Sequence, residues 1–454
     1  VTIFERGTPA LLADALDRLA EGFGDLPAFD AEIPESDRMA AVLNDVAVRL
    51  QDNYPYFHPL YAGQMLKPPH PVARAAYALA TWINPNNHAL DGGRASTAME
   101  IEAVAEIAAM FGWTEHLGHL TGGGTMANLE ALWVAGQIQP GKKIVASAQA
   151  HYTHERISRV LGLPFEKCPV DRRGRMDCAA LEEQVARGGV ACVVATLGTT
   201  GVGSVDPLPE ILRLRERYGF RVHVDSAYGG YFGLADNLAE SARAAFDQIG
   251  EADSIVVDPH KHGLQPYGCG CVLFRDRRVG ILYQHDSPFT YFSSEELHLG
   301  EISLECSRPG AAAVALWATQ RLLPLVKGGE FAKNLSASRR AALLLADRLK
   351  ADRRFVVPFE PELDIVVWAP RARSPSAASA ASQWIFDEAA KRQLHLALTR
   401  LPTSFYADAW PELERDEEFV LSLRSVLMKP EHEVWMDEIV ERLRSVLSPE
   451  RPHP

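Results

Sequence analysis

Residues 254–274 read SIVVDPHKHGLQPYGCGCVLF. An apolar run ends abruptly in a polar knot that sets Lys261 between His260 and His262, and glycines lead into a second apolar run, Cys271–Phe274. Unbroken apolar runs mark strands covered on both faces, as in a parallel sheet under helices. A lone lysine at the tip of such a strand either snorkels to water or does chemistry that benefits from a desolvated amine.

On the N-terminal side the same grammar repeats. KIVASA (143–148), VACVVATLG (190–198) and FRVHVD (220–225) are further apolar runs. DPLPEILRLRERYG (206–219) supplies a helix between two of them, with Asp206 as N-cap, Pro207 in the first turn and Gly219 past the end. TAMEIEAVAEIAAMFG (97–112) predicts another helix. It opens on a Thr97/Glu100 capping box, carries Ile101, Val104, Ala108 and Phe111 at helical spacing, and stops at Gly112. Alternating strands and helices define an α/β unit with a mostly parallel sheet, whose active-site loops lie at the strand carboxyl ends.

Beyond residue 330 the pattern changes to a long helix over FAKNLSASRRAALLLADRLKA, strands at LDIVVWA and FVLSLRSVLM, and a closing amphipathic helix holding Trp435, Ile439 and Leu443 in register. RARSPSAASAAS (371–382) reads as a Ser/Ala-rich loop. The expected organisation is an N-terminal arm over 1–60, a large domain over 61–330 and a small C-terminal α+β domain over 331–454.

Composition narrows the function. The chain has 454 residues, 47% hydrophobic and 23% charged, enough for two or three packed units. A net charge of -13 argues against a nucleic-acid or anionic-membrane surface. No apolar run is long enough to span a bilayer, and no charged-then-apolar leader follows Val1. Six scattered cysteines lack metal-ligand spacing, so reduced thiols in a cytoplasmic protein, with no metal, are expected.

Four strand ends carry chemistry. HLTGGGTMANLEAL places Gly122, Gly123, Gly124 and Thr125 before a helix, whose first amides and dipole suit a phosphate. His151 ends one strand, Asp225 another and Lys261 a third. Each has an ordinary structural role when taken singly: a tight turn, a hydrogen-bonded histidine, an ion pair. Together they match the needs of pyridoxal 5'-phosphate (PLP). These are an amine for the aldehyde, a carboxylate for the pyridine nitrogen, a flat ring to stack and a phosphate cradle.

The segments TGGGTMANLEAL, AQAHYTHERISRVLG, ATLGTTGVGSVDPL, HVDSAYGGYFG and DPHKHGLQPYGCGCVLF resemble the group II PLP-dependent amino acid decarboxylases. The resemblance covers residues 55 to 330 closely and reaches LRSVLMKP more loosely. It implies the PLP-dependent transferase fold type I, a seven-stranded sheet in the large domain, and a homodimer with sites at the subunit interface. Lys261 would hold the cofactor covalently with His260 near the phosphate, and Asp225 would face the ring nitrogen with Ala227 under the ring. His151 would stack on the opposite face, Gly124 and Thr125 would bind phosphate, and Thr200 would sit near the phenolic oxygen. Ser307 would reach the neighbouring subunit's phosphate.

Arg424 is a candidate for the substrate carboxylate, with a sheet-edge arginine as the alternative. Tyr291, in QHDSPFTYFSSEELHLG, is the candidate proton donor or else an interface residue. Tyr61, Trp82, Tyr267 and Phe289 fall in pocket-like segments and favour an aromatic L-amino acid, although the same rings suit a core or dimer contact. An acidic substrate would need an additional cation. HKHGLQPYG and SRPG also lean toward the phosphosphingosine lyases, which cleave Cα–Cβ, but Tyr267 stands where those have a lysine. A transaminase would use the same Lys261 and Asp225 to move a proton instead of releasing CO2.

Overall fold

The computed structural model describes residues 2–4, 6–27, 29, 35–284 and 299–447. Seven strands form the central sheet: β1 (Leu117–Thr121), β2 (Lys143–Ser147), β3 (Phe165–Cys168), β4 (Val190–Thr196), β5 (Arg221–Asp225), β6 (Ser254–Val257) and β7 (Gly270–Phe274). Their order is β1-β7-β6-β5-β4-β2-β3. Neighbours from β3 through β6 pair in parallel, and β7 pairs antiparallel with both β6 and β1. β4 and β6 are buried at every position, which is why they read as unbroken apolar runs.

A second sheet of β8 (Phe355–Val356), β9 (Ile365–Pro370), β10 (Ala397–Pro402) and β11 (Phe419–Val426) is antiparallel, in the order β10-β11-β9-β8. Its apolar face packs on the helices Glu330–Lys350, Pro375–Lys391 and Met436–Leu447 through Leu345, Trp368, Ile385, Leu423 and Leu443. The N-terminal helices Gly7–Glu21 and Ser36–Leu50 bury none of their residues within the chain.

Three local expectations need correction. Residues 371–382 are not a loop: a helix starts at Pro375, capped by the Ser374 side chain, which accepts from the Ala377 amide. Serine as cap, proline in the first turn and an alanine-rich run all favour that helix, and the low hydrophobicity of the stretch concealed it. Asp206 does not cap the helix Leu208–Tyr218, because its buried carboxylate accepts from the amides of Met176 (2.7 Å) and Thr196 (2.8 Å). Thr97 and Glu100 form no capping box. Helical structure starts before Thr97, with a kink at Gly93, and Glu100 is buried with Arg308 Nη1 at 2.6 Å, the Leu120 amide at 2.9 Å and Asn87 Nδ2 at 2.6 Å. Ile101, expected on the apolar face, is 42% exposed, and Ile107 takes the buried position.

Candidate active site

The carboxyl ends of β4, β5 and β6 converge with the turn after β1 on a cavity of about 500 Å³. In that turn Gly123 has φ 140°, a conformation only glycine adopts readily, and a helix starts at Gly124. A Cβ on Gly124 would lie 2.7 Å from Asp258 Oδ2, and one on Gly270 would lie 2.6 Å from the Gly123 carbonyl carbon. The glycines thus bring the helix start against the β6–β7 loop, where its first amides remain for a ligand.

β5 delivers Asp225, 5% exposed. Its carboxylate accepts from His154 Nε2 (2.8 Å) and the Ala227 amide (3.1 Å). Burial pushes this carboxyl up, but the hydrogen bond from His154, together with the charges of His154 and Lys261, outweighs burial and holds it below the usual carboxylate range. His154 Nδ1 is buried without a partner.

His151 lies three residues before His154, and its Nδ1 pairs with the Thr153 hydroxyl at 2.8 Å. Burial lowers its pKa, which favours a neutral ring. β6 delivers Lys261, whose Nζ is 3.0 Å from Asp258 Oδ2. His260 donates from Nδ1 to the Cys269 carbonyl at 2.8 Å and stacks at 4.8 Å on Tyr267, whose hydroxyl donates to Met65 O.

The cavity wall includes Gly124, Thr125, His151, Thr200, Asp225, Ala227, His260 and Lys261, eight of the residues singled out in the sequence. Arg424 stands one step back. It donates from Nη1 to Thr200 O (3.0 Å) and from Nη2 to Gln64 Oε1 (2.7 Å), and its Nε is unpartnered. Tyr61 is buried behind it, its carbonyl accepting from Lys429 Nζ at 2.7 Å. Tyr61, Tyr267 and Ser307 do not line the cavity, and Ser307 is exposed, accepting from Asn86 Nδ2 at 3.2 Å. Tyr291 and Phe289 lie outside the described residues.

Three participants escaped the sequence reading. Asp258 holds the Lys261 amine, His154 holds Asp225, and Glu305 Oε2 accepts from the Gly122 amide at 3.0 Å. The signals were present as i,i+3 spacings, Asp258 to Lys261 and His151 to His154, but the second partner of each pair needs the folded backbone to be seen.

These residues fit PLP. Two groups of cavity-lining residues, Asp258 Oδ1 and Thr196 Oγ1, are buried without partners among the described residues, and an ionised carboxylate, an amine and a glycine-opened helix start share one space. Among the described residues no cluster of three or more His, Cys, Asp or Glu could hold a metal, and no helix is long and apolar enough to cross a membrane.

Fold and site together define an α/β protein of PLP fold type I. Residues 25–370 match the pyridoxal-dependent decarboxylase conserved domain, and the chain belongs to that family, whose members are PLP-dependent carboxy-lyases. It is 28% identical over 408 residues to an L-tyrosine decarboxylase of Enterococcus faecium, covering 67% of this chain and 66% of that one. It is 29% identical over 318 residues to a probable L-tyrosine/L-aspartate decarboxylase of Methanothermobacter thermautotrophicus, covering 69% and 84%. An L-2,4-diaminobutyrate decarboxylase of Acinetobacter baumannii is 26% identical over 350 residues, covering 68% and 67%. The fold is shared with the Oryza sativa TDC solved with PLP and tryptamine, at TM-score 0.78 and 19% identity over 97% of this chain and 98% of that one.

Proposed function

We propose that this protein decarboxylates an L-amino acid at the α-carbon, giving the amine and CO2, with PLP held by Lys261. The observation that carries the reading is the shared cavity of Lys261 and an Asp225 kept ionised by His154. PLP, when bound, supplies an electron sink conjugated to the substrate's α-carbon. Asp225 holds a proton on the ring nitrogen, which makes that sink effective. His151 and Ala227 would cover the two faces of the ring, Gly124 and Thr125 would hold the phosphate, and Thr200 would serve the phenolic oxygen. Arg424, fixed through Thr200 O and Gln64, would orient the substrate carboxylate for cleavage. Tyr291 returns a proton to the α-carbon, and Tyr291→Phe should impair kcat more than KM.

An aromatic side chain is the proposed substrate class, supported by the names of the tyrosine decarboxylase relatives. Lys261 is the sole lysine or arginine among the described residues lining the cavity, which disfavours an acidic side chain. Glu305 on the same wall favours a second reading, a cationic side chain such as that of diaminobutyrate. We further propose a cytoplasmic homodimer in which Ser307 serves the neighbouring site.

Incubating the holoenzyme with a panel of L-amino acids and quantifying CO2, amine, aldehyde and keto acid tests this. Equimolar CO2 and amine are expected. Keto acid without CO2 would make it a transaminase, and aldehyde from a phosphorylated amino alcohol would make it a Cα–Cβ lyase.

A further inference from the structure

Behind the cofactor lysine lies a second cavity, of about 350 Å³, that the reaction does not use. Its volume is at the lower end for small-molecule sites, about 300–1,000 Å³. Phe57, Leu264, Phe331 and Leu335 give it apolar walls, and Lys67, Lys429 and His262 stand among them. His262 follows Lys261 in the chain and is fully buried, so the cavity backs directly onto the active site.

The two lysines are anomalous. Lys429 is only 4% exposed, and its ammonium donates one hydrogen bond, to Tyr61 O at 2.7 Å. Lys67, half-buried, also donates one, to Met428 O at 3.2 Å. Among the described residues neither forms an ion pair, and the Lys429 ammonium otherwise faces the Tyr61 ring, 5.3 Å from its centroid. Buried lysines without a counter-charge are rare, because removing the charge from water is costly.

The neighbours do not supply the missing anion. Asp364 accepts from the Tyr228 hydroxyl at 2.6 Å and lies 3.2 Å from His262 Nε2. Glu330 and Glu431 are exposed at the rim. His70 accepts the Val72 amide through Nδ1, and burial lowers its pKa. His432, packed against Lys429, accepts the Lys429 amide through Nδ1, and burial pushes it down to about 3. Both rings are therefore neutral, and His262, also lowered by burial, keeps an unpartnered Nδ1. Cations stand among the apolar walls, Glu330 and Glu431 stand at the mouth, and the buried Asp364 is engaged by His262 and Tyr228.

We propose that this cavity is a second ligand site for a small monocarboxylate with an aromatic or branched apolar tail, the carboxylate resting on Lys67 and Lys429 and the tail between Phe57, Phe331 and Leu335. Burial lowers Lys67 to about 8, partly offset by Asp364 and Glu431. Burial likewise lowers Lys429 to about 7, with Lys67 adding to the effect. The ligand binds the charged forms, so its affinity falls as pH rises through that range.

Calorimetric titration of the holoenzyme with phenylacetate tests the site, with phenethylamine and inorganic phosphate as parallel probes. Saturable binding of phenylacetate is expected, weakening between about pH 6.5 and about pH 8.5. Either Lys67→Met or Lys429→Met should weaken it at least ~10-fold, the loss of one charge-assisted hydrogen bond. Both substitutions replace an unpaired buried charge with an apolar chain, so folding should be retained, as checked by circular dichroism and cofactor absorbance. Absence of saturable binding, equal binding of phenethylamine, preference for phosphate, or a signal that survives both substitutions and so belongs to the active-site cavity would each overturn the proposal.

Discussion

Asp225 depends on one neighbour. Without His154, burial would dominate and its carboxyl would rise, because the hydrogen bond from Nε2 is the largest of the effects opposing burial. His154→Phe should therefore move the acid limb of the kcat/KM profile to higher pH and lower kcat by roughly 10–100-fold, the value of a charged hydrogen bond of about 1.5–3 kcal/mol. His154→Gln retains an N–H donor and should recover most of the loss. A profile that stays in place while activity falls would reduce His154 to a packing residue. Lys261, Asp225 and His151 were legible in the sequence because polar residues ending apolar strands demand an explanation. His154 and Asp258 were not, since nothing in a linear chain says which side chains turn toward each other.

At the scale of elements, the turn after β1 is the most constrained piece of the site. Gly124→Ala would put a methyl 2.7 Å from Asp258 Oδ2, the atom that also holds the Lys261 amine. PLP affinity should drop at least ~10-fold by equilibrium titration while the far-ultraviolet spectrum is retained, and unchanged affinity would contradict the close packing described here. The strand beneath that turn is tied to the neighbouring helix by the buried Glu100–Arg308 pair, 2% and 5% exposed. Glu100→Gln strands the guanidinium and should cost roughly 3–5 kcal/mol, read as a lowered urea midpoint. An unmoved midpoint would show that the pair contributes nothing net. Sequence reading placed Glu100 in a local cap because i,i+3 patterns are visible in one dimension, whereas its partner lies 208 residues away. The helix after Ser374 was missed for a related reason. Its signal was alanine propensity and capping chemistry, while periodic hydrophobicity was the pattern being sought.

For the whole molecule, β2, β4, β5, β6 and β7 were readable because strands buried on both faces have no polar alternation to blur them, whereas β1, with His119, and the half-buried β3, with Glu166 and Lys167, carry polar residues and were not. The N-terminal helices are the opposite case. On the helix Ser36–Leu50, Val42, Leu43 and Leu50 are 58%, 66% and 62% exposed, and the helix buries no residue among the described residues. A second copy of the chain is the proposed cover. Sedimentation should give about twice the 49.9 kDa chain mass, and Val42→Glu with Leu43→Glu should shift it toward the monomer, while a wild-type monomer would contradict the dimer. The proposed reaction requires that the amine on the loop after β6 carries the cofactor. The most direct measurement is to reduce the holoenzyme with borohydride, digest it and locate the pyridoxyl group by peptide mass spectrometry. The account predicts the label on Lys261 alone; a label on another lysine, or none on a protein that has taken up PLP, would contradict it.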